Sequence, residues 1–383
     1  MRTTRAESER RVPELDGLRG CAILMVVFWH YVEPGNIPRY VSAFGRLTWS
    51  GVDLFFVLSG FLIGGILLDA RSSSNFFKTF YVRRVCRILP LYILILLAFW
   101  TGITLFSANR HPALLWLFHL PLPWYIYASL TQNFWTAAYG TLGPPFLGPT
   151  WSLAIEEQFY LVLPLIIRFV SPLRLRYLLP VVILTAPLLR TILYLSHVHG
   201  GWAAYVLMPC RADALMIGVS AALLIRSPSG WKYVVHHRRL IKAILGMLLI
   251  GMWWAGHKKW MNVTTFAMSS IGYTWVALFY VFVLLVAISQ PASFVSRAFR
   301  NRVLRAVGRI AYGIYLLHVA IVAFCYAILR ESAPQPADLG DFAATALACG
   351  LTLAIASISW LFFEKPLVKI GHEYTYRFGK TET

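Results

Sequence analysis

The chain is a succession of long apolar runs broken by short polar connections, and the runs approach the roughly 20 residues that cross a bilayer as a helix. They fall at about 17–34, 49–69, 88–106, 151–170, 178–196, 204–225, 240–256, 263–288, 306–329 and 342–363, which predicts about ten membrane spans. The polar punctuation is uneven. Every second connection is basic: Arg71 to Arg87, Arg168 to Arg176, Arg226 to Arg239, Arg297 to Arg305 and Lys365 to Lys380, with Arg2, Arg5, Arg10 and Arg11 before the first run. The positive-inside rule makes these segments cytoplasmic. Both termini then lie inside, which suits an even number of spans, with residues 1–16 and 366–383 as cytoplasmic ends. His257, Lys258 and Lys259 weaken the contrast on the other side.

One stretch resists this scheme. Residues 107–150 include ALLWLFHLPLPWYIYASLTQNFW, interrupted by Pro121 and Pro123, and counting it as a span inverts every later connection against the charge bias. It is expected to be an outer re-entrant or interfacial segment, where Trp and Tyr suit the headgroup region.

Composition fixes the class. Of 383 residues 58% are hydrophobic and only 13% charged, against about 25% charged in a typical globular chain, and the mean hydropathy is +0.63. The expected fold is all-α, a polytopic transmembrane helix bundle forming a single membrane domain over residues 1–383. The formal charge of +19, from 35 Lys and Arg against 16 Asp and Glu, would suit nucleic acid. The cations, however, sit between apolar runs, so the bilayer is the expected partner. No cleavable signal peptide is apparent. Five scattered cysteines (Cys21, Cys86, Cys210, Cys325, Cys349) give neither a disulfide framework nor a zinc spacing, and no metal site is expected.

Charged groups inside the spans are costly and tend to face an interior or a water-filled cavity. The first span, LDGLRGCAILMVVFWHY, carries Asp16, Arg19 and His30. Arg19 and His30 are eleven residues apart, so they share a helix face about 16 Å apart along the axis. Asp53 opens the second span, Ser152, Glu156 and Glu157 the fourth, and Arg211 and Asp213 the sixth. These groups converge near the outer depth of His30. A carboxylate beside an imidazole makes it a general base near neutral pH. The plainer alternatives are an Arg211–Asp213 ion pair, helix-dipole carboxylates at Asp53 and Glu156, and a helix-end Glu157. At the inner side Arg83, Arg84 and Arg87 share a helix face and suit bidentate phosphate binding, although juxtamembrane arginines also simply set topology and bind anionic lipid. The Arg297, Arg300, Arg302 and Arg305 loop takes that ordinary reading.

The chain resembles the integral-membrane acyltransferase-3 family, O-acyltransferases of surface polysaccharides and other sugar acceptors. The matching stretches are ELDGLRGCAILMVVFWH (Arg19, His30), GVDLFFVLSGFLI (Asp53), YVRRVCRILPLY (Arg83, Arg84, Arg87), PTWSLAIEEQFYLVLP (Trp151, Ser152, Glu156), CRADALMIG (Arg211, Asp213), GRIAYGIYLLH (Tyr312, Tyr315, His318) and FFEKP (Glu364). The resemblance implies a cytoplasmic acyl-CoA donor, most simply acetyl-CoA, as co-substrate with no permanently bound cofactor. It implies a catalytic histidine matching His30 and donor-binding positions matching Arg19 and Arg83–Arg87. Some relatives add a periplasmic hydrolase-like domain, and with the chain ending at Thr383 the membrane domain is expected to carry all the chemistry.

Together these readings predict an O-acyltransferase, an O-acetyltransferase above all, of the bacterial inner membrane. Its acceptor would be a cell-surface polysaccharide such as lipopolysaccharide, or its lipid-linked precursor. His30, oriented by Asp53 or Glu156, takes the acceptor proton or carries the acyl group itself. Trp151, Ser152, Arg211, Asp213, Tyr315 and His318 line the cavity or acceptor side, and Glu364 is structural at the inner face. The alternatives are acylation of a small glycosylated metabolite and, from another class, a proton-coupled transporter.

Overall fold

The computed structural model describes residues 12–32, 45, 47–106, 111–119, 122–196, 201–258, 260 and 262–378. The expectations on Arg2, Arg5, Arg10, Arg11, Pro121, Lys259 and Lys380 concern positions outside the described residues. The described residues form helices and connections, with no strand among them. Ten long helices order the bundle: α1 (Pro13–Tyr31), α2 (Gly51–Ala70), α3 (Phe76–Phe106), α4 (Thr150–Phe169), α5 (Pro172–Leu195), α6 (Met208–Arg226), α7 (Arg238–His257), α8 (Tyr273–Ser289), α9 (Ala311–Leu329) and α10 (Leu339–Ser359). Among the described residues nine helical stretches are long and apolar enough to cross a membrane. The first helix is equally long but carries Glu14, Asp16 and Arg19 in its first half. The chain is an integral membrane protein.

Burial separates centre from periphery. The second helix is apolar on every side and mostly buried, as a helix surrounded by other helices must be. The fifth helix is equally apolar yet largely exposed, with Leu184 at 66% and Leu188 at 63%, so its apolar surface is left to lipid. Small residues let the central helices approach closely, the main way helices associate where lipid is as apolar as leucine. A methyl group at Gly60 would run into the Leu215 carbonyl, and one at Gly218 into the Val57 carbonyl, which locks α2 to α6. Gly17, Gly20 and Gly308 do the same between α1 and the segment 299–308.

The ends of the bundle follow from cross-contacts. Arg226 forks onto Asp69 at 2.7 and 2.8 Å, Arg71 donates to the Val170 carbonyl at 2.8 Å, Arg300 pairs with Glu14 at 2.5 Å, and Asn75 donates to the Thr375 carbonyl at 2.9 Å. The basic connections therefore share one end. Because α3 starts and α4 finishes at this basic end, the chain between them leaves and re-enters at the opposite end without crossing. Its helices, Pro112–Leu117, Trp124–Ala128 and Gln132–Tyr139, are at most eight residues long, far short of a span. They are tied down by Tyr92 on the Tyr127 carbonyl at 2.9 Å and Gln132 on the Thr150 carbonyl at 2.8 Å.

Three boundaries differ from the apolar runs. The third helix begins at Phe76, since Lys78, Arg83, Arg84 and Arg87 continue the helix beyond its apolar part. The run at 306–329 is cut into a short helix Arg302–Arg309 and α9 by a bend at Ile310. The last run continues through a π-helical turn, Trp360–Glu364, into the helix Lys365–Glu373.

The glycine contacts make a direct expectation. Gly218→Val puts a Cβ against the Val57 carbonyl and lowers the thermal midpoint in detergent, by an overpacking cost of about 1–3 kcal/mol or more. Gly246→Val, where a Cβ meets nothing within 4 Å, leaves the midpoint close to that of the parent protein.

Candidate active site

A polar cavity inside the bundle is built largely from five helices. It is lined by Arg19 of α1, Phe55 and Ser59 of α2, Arg84 and Arg87 of α3, Ser152, Glu156 and Tyr160 of α4, and Tyr312 and Tyr315 of α9. Helical spacing explains the selection: Ser152, Glu156 and Tyr160 fall at i, i+4 and i+8, and Arg84 and Arg87 at i, i+3, each set on one face. Tyr160 donates to Glu156 Oε2 at 3.3 Å and shares a short hydrogen bond with Ser59. The Arg84 guanidinium lies over the Tyr160 ring at 5.9 Å, and its Nε is buried without a hydrogen-bond partner among the described residues. Arg19 leans towards Asp16 at 3.9 Å. Three guanidiniums against one cavity carboxylate make an anion-attracting chamber.

A second cavity lies at the start of α4. Trp29, Trp49, Trp116, Trp151 and Trp202 line it with Tyr205, Pro149 and the imidazole of His30. Among the lining residues His30 alone is of a type that titrates near neutral pH. Its Nδ1 lies 2.8 Å from the Val26 carbonyl oxygen, an acceptor only, so the proton sits on Nδ1 and Nε2 keeps its lone pair for the cavity. His318 is fully buried behind it, ring to ring at 4.8 Å and 74°. Its Nδ1 is likewise held by the carbonyls of Tyr315 at 2.9 Å and Ile314 at 3.1 Å, and its Nε2 has no partner among the described residues. The two cavities meet at Tyr315, which lines both. Its hydroxyl bonds Ser152 Oγ at 2.5 Å and also reaches the Pro149 carbonyl.

The bundle brings Arg19, His30, Arg84, Arg87, Trp151, Ser152, Glu156 and Tyr315 to this pair of cavities, leaves His318 behind His30 and outside both linings, and separates others that the sequence grouped with them. Neither Asp53 nor Glu156 orients His30, because the Val26 carbonyl does so from within its own helix. Asp53 is instead ion-paired, fully buried, with Arg211. Glu156 lies one turn deeper than Ser152, among the arginines. Arg211 and Asp213 are not paired with each other: Asp213 takes Arg190 at 2.9 Å and accepts from Thr274 at 2.6 Å. Arg83 turns away from Arg84 and Arg87, donating to the Tyr374 carbonyl at 2.9 Å beneath the Tyr376 ring. Glu157 is no helix-end group; it sits within α4 with Oε1 buried. Glu364 accepts from Ser359 at 3.1 Å beside Gly313, off the cavity.

Sequence reasoning missed Arg190. It lies in the last third of α5 within an apolar run and is wholly buried, bonding Ser269 and Cys210 carbonyls, Thr274 and Asp213. An arginine within an apolar run was the available signal, since such a group demands an internal partner.

The family model of the acyltransferase-3 type, described as an acyltransferase domain, matches residues 12–361. The chain belongs to this acyltransferase family. Similar relatives include the peptidoglycan O-acetyltransferase OatA of Listeria monocytogenes, 29% identical over 97% of this chain and 58% of that protein. YrhL of Bacillus subtilis, provisionally named a peptidoglycan O-acetyltransferase, is 28% identical over 95% of this chain and 56% of that protein. A Staphylococcus aureus protein provisionally named an O-acetyltransferase is 26% identical over 96% and 59%. The chain thus spans less than two thirds of the length of these curated relatives. No solved structure matches it.

The pairing of Asp53 gives a prediction distinct from catalysis. Asp53→Ala leaves Arg211 buried with its Nε and Nη1 already lacking hydrogen-bond partners among the described residues, so the folded protein loses about 3–5 kcal/mol. Thermal unfolding in detergent should show a large drop, and Asp53→Ala with Arg211→Met should recover part of it.

Proposed function

We propose that this chain is a membrane O-acetyltransferase that moves an acetyl group from acyl-CoA to a hydroxyl of a sugar in a cell-surface polymer, in a bacterial cytoplasmic membrane. One observation carries the reading: an arginine-lined cavity and a tryptophan-lined cavity holding an accessible imidazole meet at a single Ser152–Tyr315 contact. Phosphates of the donor suit Arg84 and Arg87, with Arg19 next along the cavity, since guanidinium groups bind phosphate oxygens bidentately. The basic end of the bundle is then the cytoplasmic one. The narrow pantetheine arm runs past Glu156 and Tyr160 and brings the thioester to Ser152 and Tyr315.

The acceptor hydroxyl enters through the tryptophan-lined cavity, whose broad rings offer apolar platforms to the faces of a sugar. His30 Nε2 removes the hydroxyl proton as the oxygen attacks the thioester carbonyl. The C–O bond forms, the C–S bond breaks, and the proton on His30 passes to the departing CoA thiolate. Turning out of their present bonds to each other and to the Pro149 carbonyl, the hydroxyls of Ser152 and Tyr315 donate to the developing negative charge of the thioester carbonyl. His318, edge-on to His30 with its own Nδ1 engaged, fixes the ring from behind. The names of the relatives favour a peptidoglycan sugar over lipopolysaccharide as the acceptor class.

His30→Ala should lower acetyl transfer by about 10²–10⁴, the range for a positioned general base, with a thermal midpoint close to wild type. The assay is thiol release from acetyl-CoA by protein in nanodiscs with a soluble sugar polymer. Absence of CoA release from the wild-type protein in the presence of several polymers would sink the reading and favour a transport role.

Arg84→Ala with Arg87→Ala should raise the KM for acetyl-CoA, because each charge-assisted hydrogen bond contributes about 1.5–3 kcal/mol, while the acceptor KM stays put. Arg83→Ala should move neither. An equal effect at Arg83 would mean that these cations act through topology and not through the cavity.

A further inference from the structure

The short helix Arg302–Arg309 belongs to neither cavity by its charges, yet it is the most strongly amphipathic helix described. Arg302, Arg305 and Arg309 fall at i, i+3 and i+7 and form one basic face. With Asp16 they line a small cavity at the basic end of the bundle. On its other flank the same helix walls a groove with α10 and the π-helical turn, and here Ala306, Ile310, Leu353, Trp360 and Leu361 supply apolar surface. Arg302, Arg309 and Lys365 stand at the groove as its only charged lining residues. None of Arg302, Arg305, Arg309 and Lys365 makes a side-chain hydrogen bond or ion pair among the described residues, and Arg305 Nε is buried as well.

We propose that this groove is a binding site for an anionic membrane phospholipid, with the phosphate on Arg302, Arg309 and Lys365 and one acyl chain against Leu353, Trp360 and Leu361. Charge and shape both select that occupant. An apolar groove on the flank of a membrane helix meets acyl chains, not water, and Leu361 at 54% exposure lies open on this flank. Leu353 and Lys365 are about 18 Å apart at 1.5 Å per residue, the scale of an acyl chain. Cations just beyond such a groove stand where headgroup phosphates are, and each contributes about 1 kcal/mol of attraction near an anionic surface. Guanidiniums held in one row attract an anion, and the carboxylate beside them among the described residues, Asp16, faces the small cavity and leans on Arg19.

The site also has a structural consequence. The helix that would hold the phosphate touches α1 backbone to backbone through Gly308 and Gly20, so a bound phospholipid braces the helix that carries Arg19 and His30. Binding to the folded state alone raises its stability by mass action.

The test uses the full chain in detergent, titrated with phosphatidylglycerol or with phosphatidylcholine of the same acyl chains, reading the thermal midpoint and retained lipid by native mass spectrometry. Phosphatidylglycerol should raise the midpoint and stay bound; phosphatidylcholine should do neither. Arg302→Ala with Arg309→Ala and Lys365→Ala should raise the phosphatidylglycerol concentration needed for that response by about fivefold for each cation removed, the factor equivalent to roughly 1 kcal/mol. These side chains are at the surface, so the variant should fold. Ser357→Trp keeps every charge but fills the groove and should also abolish retention; it serves as the deciding variant if the triple change fails to fold. Equal responses to the two lipids, or an unchanged response in Ser357→Trp, would overturn the proposal. So would protection by coenzyme A or by glycerol phosphate that depends on Arg302 and Arg309 while phosphatidylglycerol gives none, since the cations would then serve a soluble phosphate.

Discussion

The contact between α2 and α6 is the constraint on which the rest of the bundle depends. Two glycines bring the backbones together, and the buried Arg211–Asp53 pair fastens them at one end while Arg226 and Asp69 fasten the other. The guanidinium of Arg211 lies 4.0 Å from the centre of the Tyr273 ring and also faces Phe56 and Tyr205, an aromatic enclosure that offsets part of the desolvation of the charge. Tyr205 and Trp151 extend from this enclosure to the tryptophan-lined cavity, and Phe55, Phe56 and Ser59 from α2 to the arginine-lined one. Both cavities therefore inherit their shape from one helix pair that cannot shift without exposing a buried charge.

Hydrophobic run length located the ten long helices, and basic connections showed which ends belong together. Both signals are local, and a bilayer imposes them on the chain directly. Spacing within a helix also succeeded: Arg19 and His30 do lie along one side of α1, facing the two cavities in turn. What spacing does not carry is the identity of the helix opposite. Asp53 was legible as an unusual carboxylate, but only the packing of α2 on α6 gives it to Arg211 and not to His30. The same limit explains Asp213, whose partner Arg190 comes from α5, and Arg83, whose neighbour in the chain enters the cavity while it binds the C-terminal segment. The break at Ile310 was hidden because the apolar positions Ala306, Val307 and Ile310 run on into α9 across the single charge of Arg309.

The division of polar groups between the cavities has a simple electrostatic sense. Arginines stay on the side where a polyanionic nucleotide would be held, and the imidazole stands among aromatic rings in a cavity that no carboxylate or guanidinium lines among the described residues. Keeping Glu156 with the arginines removes a negative neighbour from His30. Backbone carbonyls, which never titrate, hold both imidazoles instead. Among the described residues that line the tryptophan-lined cavity, one imidazole is thus the group suited to proton transfer near neutral pH.

Because Arg19 and His30 ride on the same rigid helix, the span between the cationic cavity and the imidazole is fixed by eleven residues of α-helical rise and by nothing that moves. In the proposed reaction that interval gauges the pantetheine arm, which is identical in every acyl-CoA, and brings each thioester carbon to the same point regardless of the group attached. Discrimination among acyl chains then falls to whatever lies beyond the carbonyl. Here that is the indole wall around His30, so exchanging Trp29 or Trp116 for smaller residues would be the route by which this scaffold could come to carry longer acyl groups with its donor-binding end untouched.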